Sequence, residues 1–191
     1  MIQTKAQLKE VLSKEFALYF SGKKDYLIST ILCSRSVQVW KYQKCLRYLE
    51  YFKSCKNGLG GAFCSIMFAF YSRRVNKLGL ILGIDIWCGV FDEGLHMHHV
   101  AGGIIVNSEA RIGKNCELHG QNCIGNNGKP GGKSPVIGDN CKVGVGAKII
   151  GDIQIGNNII IAAGAVVVKS INEDGVILAG VPAEIVKRTM G

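Results

Sequence analysis

Residues 136–168 read VIGDNCKVGVGAKIIGDIQIGNNIIIAAGAVVV, and an aliphatic side chain recurs in this stretch at every sixth position. The same spacing occurs upstream, and a gap of 13 residues between Ile124 and Ile137 interrupts it. A period of six fits neither an α-helix nor the simple alternation of an amphipathic strand. It predicts a coil of short flat sides, each of which places one aliphatic side chain inward. The ten positions are Val106, Ile112, Leu118, Ile124, Ile137, Val143, Ile149, Ile155, Ile161 and Val167.

Glycine and other small residues accompany this repeat. The chain has 25 glycines, 3 prolines and 48% hydrophobic residues, a composition that argues against a disordered glycine-rich linker. Stacked coils, separated by the strand spacing of about 4.8 Å, bury the aliphatic ladders, and small residues fit the tight turns. Glycine follows the aliphatic residue at 113, 125, 138, 144 and 156, and small residues lie four positions after it at Ala110, Cys116, Cys141, Ala147 and Ala165.

The charge of the chain is unevenly distributed. The formal net charge is +9, and residues 1–82 carry 14 Lys/Arg against 4 Asp/Glu, whereas residues 83–191 carry 9 against 10. We therefore expect two domains, a basic α-helical region over 1–82 and the repeat domain over 83–191. The sequence shows no nucleic-acid motif, so we expect no nucleic-acid partner. Peripheral contact of the basic region with an anionic glycan or membrane surface is left open.

Helical spacing of apolar residues predicts three helices in the basic region. Thr4 is placed to cap the first, which reaches Tyr19 before Gly22 ends it. The second lies around Trp40–Phe52, with a solvated face that includes Arg47, and the third over residues 61–78.

The cysteines and the N-terminus indicate a cytoplasmic protein. The eight cysteines form no C-x-x-C pair, and no signal segment precedes the first helix. The most apolar stretch, Ala62–Tyr71, is too short to cross a bilayer. We expect buried free thiols in a reducing compartment.

A second pattern overlaps the start of the repeat. Residues 94–99 read GLHMHH, residues 103–107 read GIIVN, and residues 179–183 read AGVPA. Together with the six-residue period, these segments resemble hexapeptide-repeat acyltransferases of the serine acetyltransferase-like branch. Within it, a histidine before an I-V-N-like strand and another in the next hexad resemble capsule and exopolysaccharide O-acetyltransferases. The resemblance covers about residues 83–191.

This resemblance implies a mainly β fold, a left-handed parallel β-helix preceded by the basic helices. It implies an O-acetyltransferase that uses acetyl-CoA as acyl donor, needs no metal, and forms a homotrimer with active sites between subunits. We expect the acceptor to be a hydroxyl of a sugar or polysaccharide precursor. Serine acetyltransferases carry a histidine before a proline at the loop-to-coil return, and here that place reads Gly132-Lys133-Ser134-Pro135. Its absence weakens serine as acceptor, although Lys133 could partly substitute.

The resemblance also implies the catalytic residues. His99 matches the catalytic histidine, and imidazole suits a general base near neutral pH. Asp85 matches the aspartate that supports it, with Asp92 as the alternative, and His119 follows an inward Leu and is expected to point outward. His96 and His98 are expected to be surface or supporting residues.

Acyl-carrier contacts are expected in the glycine-rich loop 126–134, on smooth coil turns and at exposed lysines. The residues expected to bind acetyl-CoA are Gly125, Asn126, Asn127, Gly144, Val145, Ala163, Gly164, Lys169 and Lys187.

Three alternative functions remain at this point. The first is serine O-acetyltransferase. The second is a zinc carbonic anhydrase, which shares the β-helix, although no paired-histidine spacing follows His119. The third is a non-catalytic β-helix scaffold.

Overall fold

The computed structural model describes residues 2–55 and 61–188. The chain divides into two compact units, Met1–Leu82 and Gly83–Gly191. The first is helical and the second is built from parallel strands, so the predicted architecture of basic helices followed by stacked coils is confirmed.

Over residues 2–55 and 61–82, the first unit contains four helices: α1 (Lys5–Tyr19), α2 (Lys23–Ile31), α3 (Arg35–Ser54) and α4 (Gly61–Leu82). Thr4 caps α1 as predicted: Thr4 Oγ1 accepts a hydrogen bond from Gln7 N, and Gln7 Oε1 accepts one from Thr4 N, both at 3.1 Å. The spacing of apolar residues did not predict α2, because none of its residues is buried.

Arg47 on α3 is 1% exposed, so its predicted place on a solvated helix face is wrong. Its Nη2 lies 2.7 Å from Glu15 Oε1 on α1, and its Nη1 lies 2.9 Å from Glu50 Oε1 on α3. The two carboxylates raise the pKa of the guanidinium against the opposing effect of its burial. This buried triad ties α1 to α3.

In the described part of the second unit, the strands form three sheets that are parallel up to β13, and the chain visits them in turn. The first contains β1 (Ile84–Ile86), β3 (Ile104–Val106), β6 (Asn122–Gly125), β9 (Lys148–Ile150) and β12 (Val166–Val167). The second contains β4 (Arg111–Ile112), β7 (Val136–Ile137) and β10 (Gln154–Ile155). The third contains β2 (His96–Met97), β5 (Glu117–Leu118), β8 (Lys142–Val143), β11 (Ile160–Ile161), β13 (Val176–Gly180) and β14 (Ala183–Arg188).

The aliphatic residues of the repeat form ladders inside the coils. All ten predicted positions are buried, with at most 4% of each residue exposed. Strand register pairs residues 18 apart, such as Val143 with Ile161 and Ile149 with Val167. Between β6 and β7 the chain leaves the coil as a loop, which accounts for the longer interval in the sequence.

The coil stack closes with an antiparallel pair. β14 pairs antiparallel with β13, with a register irregularity at Ile177/Leu178, whereas the other strand pairs of the sheets are parallel. In the described part of the chain, no helix is both long and apolar enough to span a membrane.

Candidate functional site

His99 lies on the turn that joins β2 to β3, and its side chain is exposed. This turn packs closely against the coil below it. Gly120 there has φ +100°, and a Cβ at that position would overlap the carbonyl oxygen of His99. A residue without a side chain is therefore needed directly beneath the predicted general base.

The neighbouring histidines form a cluster around one carboxylate. Register aligns His96, Glu117 and Lys142 on β2, β5 and β8. The Glu117 carboxylate lies 3.0 Å from His98 Nε2, 3.5 Å from His119 Nε2 and 3.0 Å from Lys142 Nζ. Glu117 and Lys142 were not predicted from the sequence. His96 and Glu117 are 21 residues apart and Glu117 and Lys142 are 25 apart, so counting coils of 18 residues along the sequence does not align them.

The cluster also stacks its imidazole rings. The rings of His98 and His119 are nearly parallel, with centroids 4.3 Å apart, and His96 lies 3.9 Å from His98. His99 lies 6.5 Å from His98. His119 is one-third exposed beside the buried Leu118, which matches its predicted outward direction.

Burial and like charge disfavour protonation in this cluster. Burial, followed by repulsion from His98, lowers the pKa of His96 to about 4. The same two causes lower the pKa of His119, and Glu117 opposes them. Burial raises the pKa of Glu117, but the hydrogen bonds from Lys142 and His98 outweigh it and hold that pKa below its usual value.

Asp85 lies on the first of the three sheets. It is exposed on β1 and lines a cavity of about 570 Å³ on the outer face of the first sheet, together with Trp87, Asn107, Gly125 and Asn126. Among the described residues no histidine lines this cavity. The cavity therefore contains the predicted aspartate but not the predicted base. Asp92 is also exposed, and its backbone N–H bonds the carbonyl of Ile112.

The residues predicted to bind acetyl-CoA fall into three groups. Gly125 and Asn126 line the Asp85 cavity, and Asn127 is in the adjoining loop. Gly144–Val145 and Ala163–Gly164 lie on neighbouring turns, where Gly164 N donates to Val145 O at 2.8 Å and a Cβ on Gly144 would crowd Ala163 N. Lys169 follows β12, and Lys187 is exposed on β14.

Comparison with known proteins adds to this geometry. The family described as bacterial transferase hexapeptide (six repeats) matches residues 134–169. A serine acetyltransferase of Synechococcus elongatus is 33% identical over 112 residues, 58% of this chain and 45% of the relative. A serine acetyltransferase of Staphylococcus aureus is 36% identical over 120 residues, 61% of this chain and 55% of the relative. The chain thus spans about half the length of the curated relatives it matches.

Solved structures show the same fold. Serine acetyltransferase from Brucella abortus superimposes with a TM-score of 0.71 at 23% identity, covering 97% of this chain and 71% of that protein. The Neisseria gonorrhoeae serine acetyltransferase in complex with serine gives a TM-score of 0.68 at 23% identity, covering 96% and 70%. The second unit therefore carries the hexapeptide repeat of bacterial transferases on a serine acetyltransferase-like fold.

The expected sugar or polysaccharide acceptor is wrong. The relatives at 33–36% identity and the solved neighbours are serine acetyltransferases, and the expected closeness to capsule and exopolysaccharide enzymes has no support. The error came from the weight given to the histidine missing before Pro135 and to the histidine pattern around the I-V-N-like strand. The segment 132–135 lies in a loop, where side chains vary more readily than in the coils, so a missing histidine there does not define the acceptor class.

Proposed function

We propose that this chain is an acetyl-CoA-dependent serine O-acetyltransferase. The observation that carries the proposal is the 33–36% identity to serine acetyltransferases over stretches of 109–120 residues. The repeat architecture and the exposed His99 support it. A solved neighbour bound to coenzyme A, with a TM-score of 0.69, supports acetyl-CoA as donor.

His99 acts as general base in the proposed reaction. Its imidazole takes the proton from the serine hydroxyl as that oxygen attacks the thioester carbonyl. The resulting tetrahedral oxyanion collapses and breaks the C–S bond. The coenzyme A thiolate leaves and takes the proton back from the imidazolium, giving O-acetylserine and free coenzyme A. The exposure of His99 fits this role, because both substrates must reach the ring.

Asp85 supports the base in the proposed site, and the second histidine, His119, contacts substrate. The proposal includes a homotrimer whose sites are completed between subunits, as the family resemblance implies. Sedimentation of the active protein is expected to give three chains per particle. A stable, active monomer would contradict this part of the proposal.

The acyl carrier runs along the small residues of the coil turns. Gly144, Val145, Ala163 and Gly164 leave a surface with little side-chain relief, against which the pantetheine lies flat. Gly125, Asn126 and Asn127 border the thioester end, and Lys169 and Lys187 meet the phosphates. Exposure of both lysines supports this placement.

Lys133 meets the carboxylate of serine in place of the absent loop histidine. Its side chain is 80% exposed, and its ion pair with Asp152 is long, at 3.9 Å, so it is free to turn toward a ligand. Lys133→Met is expected to raise KM for serine with little change in KM for acetyl-CoA.

Thiol release from acetyl-CoA in the presence of L-serine tests the proposal. His99→Ala is expected to lower kcat by about 10²–10⁴-fold, the usual contribution of a general base. Its stability should not change, because the ring is exposed. Asp85→Asn and Asp92→Asn form a matched pair of exposed carboxylates, and only the first is expected to lower kcat. Absence of serine-dependent thiol release, or full turnover by His99→Ala, refutes the proposal.

A further inference from the structure

Three side chains of the histidine cluster bring ligand atoms close together. His98, Glu117 and His119 each offer one such atom, and these atoms all lie within 4.8 Å of one another. The sequence left a zinc site only as part of the carbonic anhydrase alternative, because no paired-histidine spacing follows His119. The pairing comes instead from the stacking of coils, which places His119 beside His98.

We propose that His98, Glu117 and His119 bind one divalent transition-metal ion of the zinc class. Ligand atoms that each lie about 2.1 Å from a tetrahedral ion are about 3.4 Å apart. The carboxylate Oε2 lies 3.0 Å from one imidazole Nε2 and 3.5 Å from the other, which brackets that separation. Two imidazoles and one carboxylate leave a fourth position for water or another ligand.

Binding requires one adjustment of the rings. The planes of His98 and His119 differ by only 16°, and an ion must lie in the plane of each imidazole it binds. At least one ring must therefore turn about its Cβ–Cγ bond. The two side chains are 30% and 33% exposed, so solvent lies on one side of each and leaves room for the turn.

Lys142 holds the other oxygen of the carboxylate. Its Nζ lies 3.0 Å from Glu117 Oε1, which leaves Oε2 directed at the histidines. Such an outer partner fixes the orientation of a ligand. Two neutral imidazoles and a charge-balanced carboxylate favour Zn²⁺ or Co²⁺ over Mg²⁺ or Ca²⁺, which prefer sites made of oxygen ligands.

Metal titration of the full chain tests this inference. The protein is freed of any affinity tag, treated with chelator and exchanged into metal-free buffer. Zn²⁺ binding is then followed by calorimetry, and Co²⁺ binding by its visible absorption. We expect one ion per chain, an absorption spectrum typical of tetrahedral Co²⁺, and no competition from excess Mg²⁺.

Substitutions assign the site to these residues. His98→Ala, Glu117→Gln and His119→Ala are each expected to weaken Co²⁺ binding by more than about tenfold. Glu93→Gln is the matched control, because Glu93 is also a quarter exposed and paired with a lysine, Lys114 at 3.3 Å. It should bind as the unmodified chain does.

Two results would overturn the inference: no saturable binding near one ion per chain, or three variants that bind as tightly as the control. If free cysteines captured the Zn²⁺, the three variants would bind it as tightly as the control. The inference goes beyond the proposed function, and its readout uses neither serine nor acetyl-CoA. Failure of the metal titration therefore leaves the proposed acetyltransferase function unaffected, and failure of the thiol-release assay leaves the metal site unaffected.

Discussion

Replacing Gly120 by alanine tests whether close packing of the coils positions the turn that carries His99, the proposed general base. Gly120 has φ +100°, and the added Cβ would overlap the carbonyl oxygen of His99. The backbone conformation alone costs about 1–2 kcal/mol for a residue with a Cβ. Relief of the overlap needs a shift of the His99 turn on the order of 1 Å, and overpacking of this kind adds about 1–3 kcal/mol. A misplacement of that size lowers catalysis by about 10²-fold.

Gly151→Ala provides the matched control. Gly151 also has positive φ, at +113°, but its Cβ would meet only the Ile153 side chain at an ordinary 3.9 Å. Denaturant unfolding should therefore show a loss of about 1–2 kcal/mol for Gly151→Ala and a clearly larger loss for Gly120→Ala. In the thiol-release assay only Gly120→Ala should lose kcat/KM. Equal losses in the two variants, in both assays, would refute the positioning role of Gly120.

Two further predictions concern stability. Arg47→Met should lower the free energy of unfolding by about 3–5 kcal/mol, because it leaves two carboxylates buried without their partner. Lys14→Met, which breaks an exposed ion pair with Glu10, is the control and should cost less than about 1 kcal/mol. A similar loss of unfolding free energy for Arg47→Met and Lys14→Met in urea would count against the buried triad. The pKa of His96 is about 4 in the folded chain, compared with 6.5 for histidine in the unfolded chain. As the pH falls, the unfolded chain therefore binds a proton at His96 before the folded chain does. Stability should therefore decrease from about pH 7 to pH 5, and the decrease should be smaller in His96→Gln. The same pH dependence of the unfolding midpoint in the variant and in the unmodified chain would contradict this prediction.

The aliphatic ladders could be predicted from sequence because their signal is local and repeated. Each short side contributes one inward residue, so positions such as Ile149 and Val167 show their burial through spacing alone. The helix α1 was predicted for a similar reason, since Thr4 and the following apolar residues lie within a few turns of each other.

Features that depend on distant partners could not be predicted in this way. Arg47 looks like a solvated residue until Glu15, 32 positions earlier in the chain, is brought against it. Helix α2 buries no residue and so leaves no periodic pattern. Glu117 became visible as part of the histidine cluster only once the coil register aligned it with His96 and Lys142.

Acceptor choice is the clearest case of a local signal given too much weight. The histidine missing before Pro135 and a short histidine pattern suggested a sugar acceptor, whereas similarity spread over more than half of the chain favours serine acetyltransferases. His99 and Asp85 were likewise assigned from motifs, and their joint role stays a prediction.

The antiparallel strand β14 covers the edge of the third sheet beside β13. A stack of parallel coils ends in a strand whose free backbone groups could template another coil or another chain. Here β14 occupies that edge in the opposite direction, and its register with β13 is irregular at Ile177/Leu178. A further strand on this sheet would therefore meet an antiparallel neighbour instead of a parallel one. In an engineered chain, an 18-residue coil inserted ahead of β13 would leave the pairing of β13 with β14 intact.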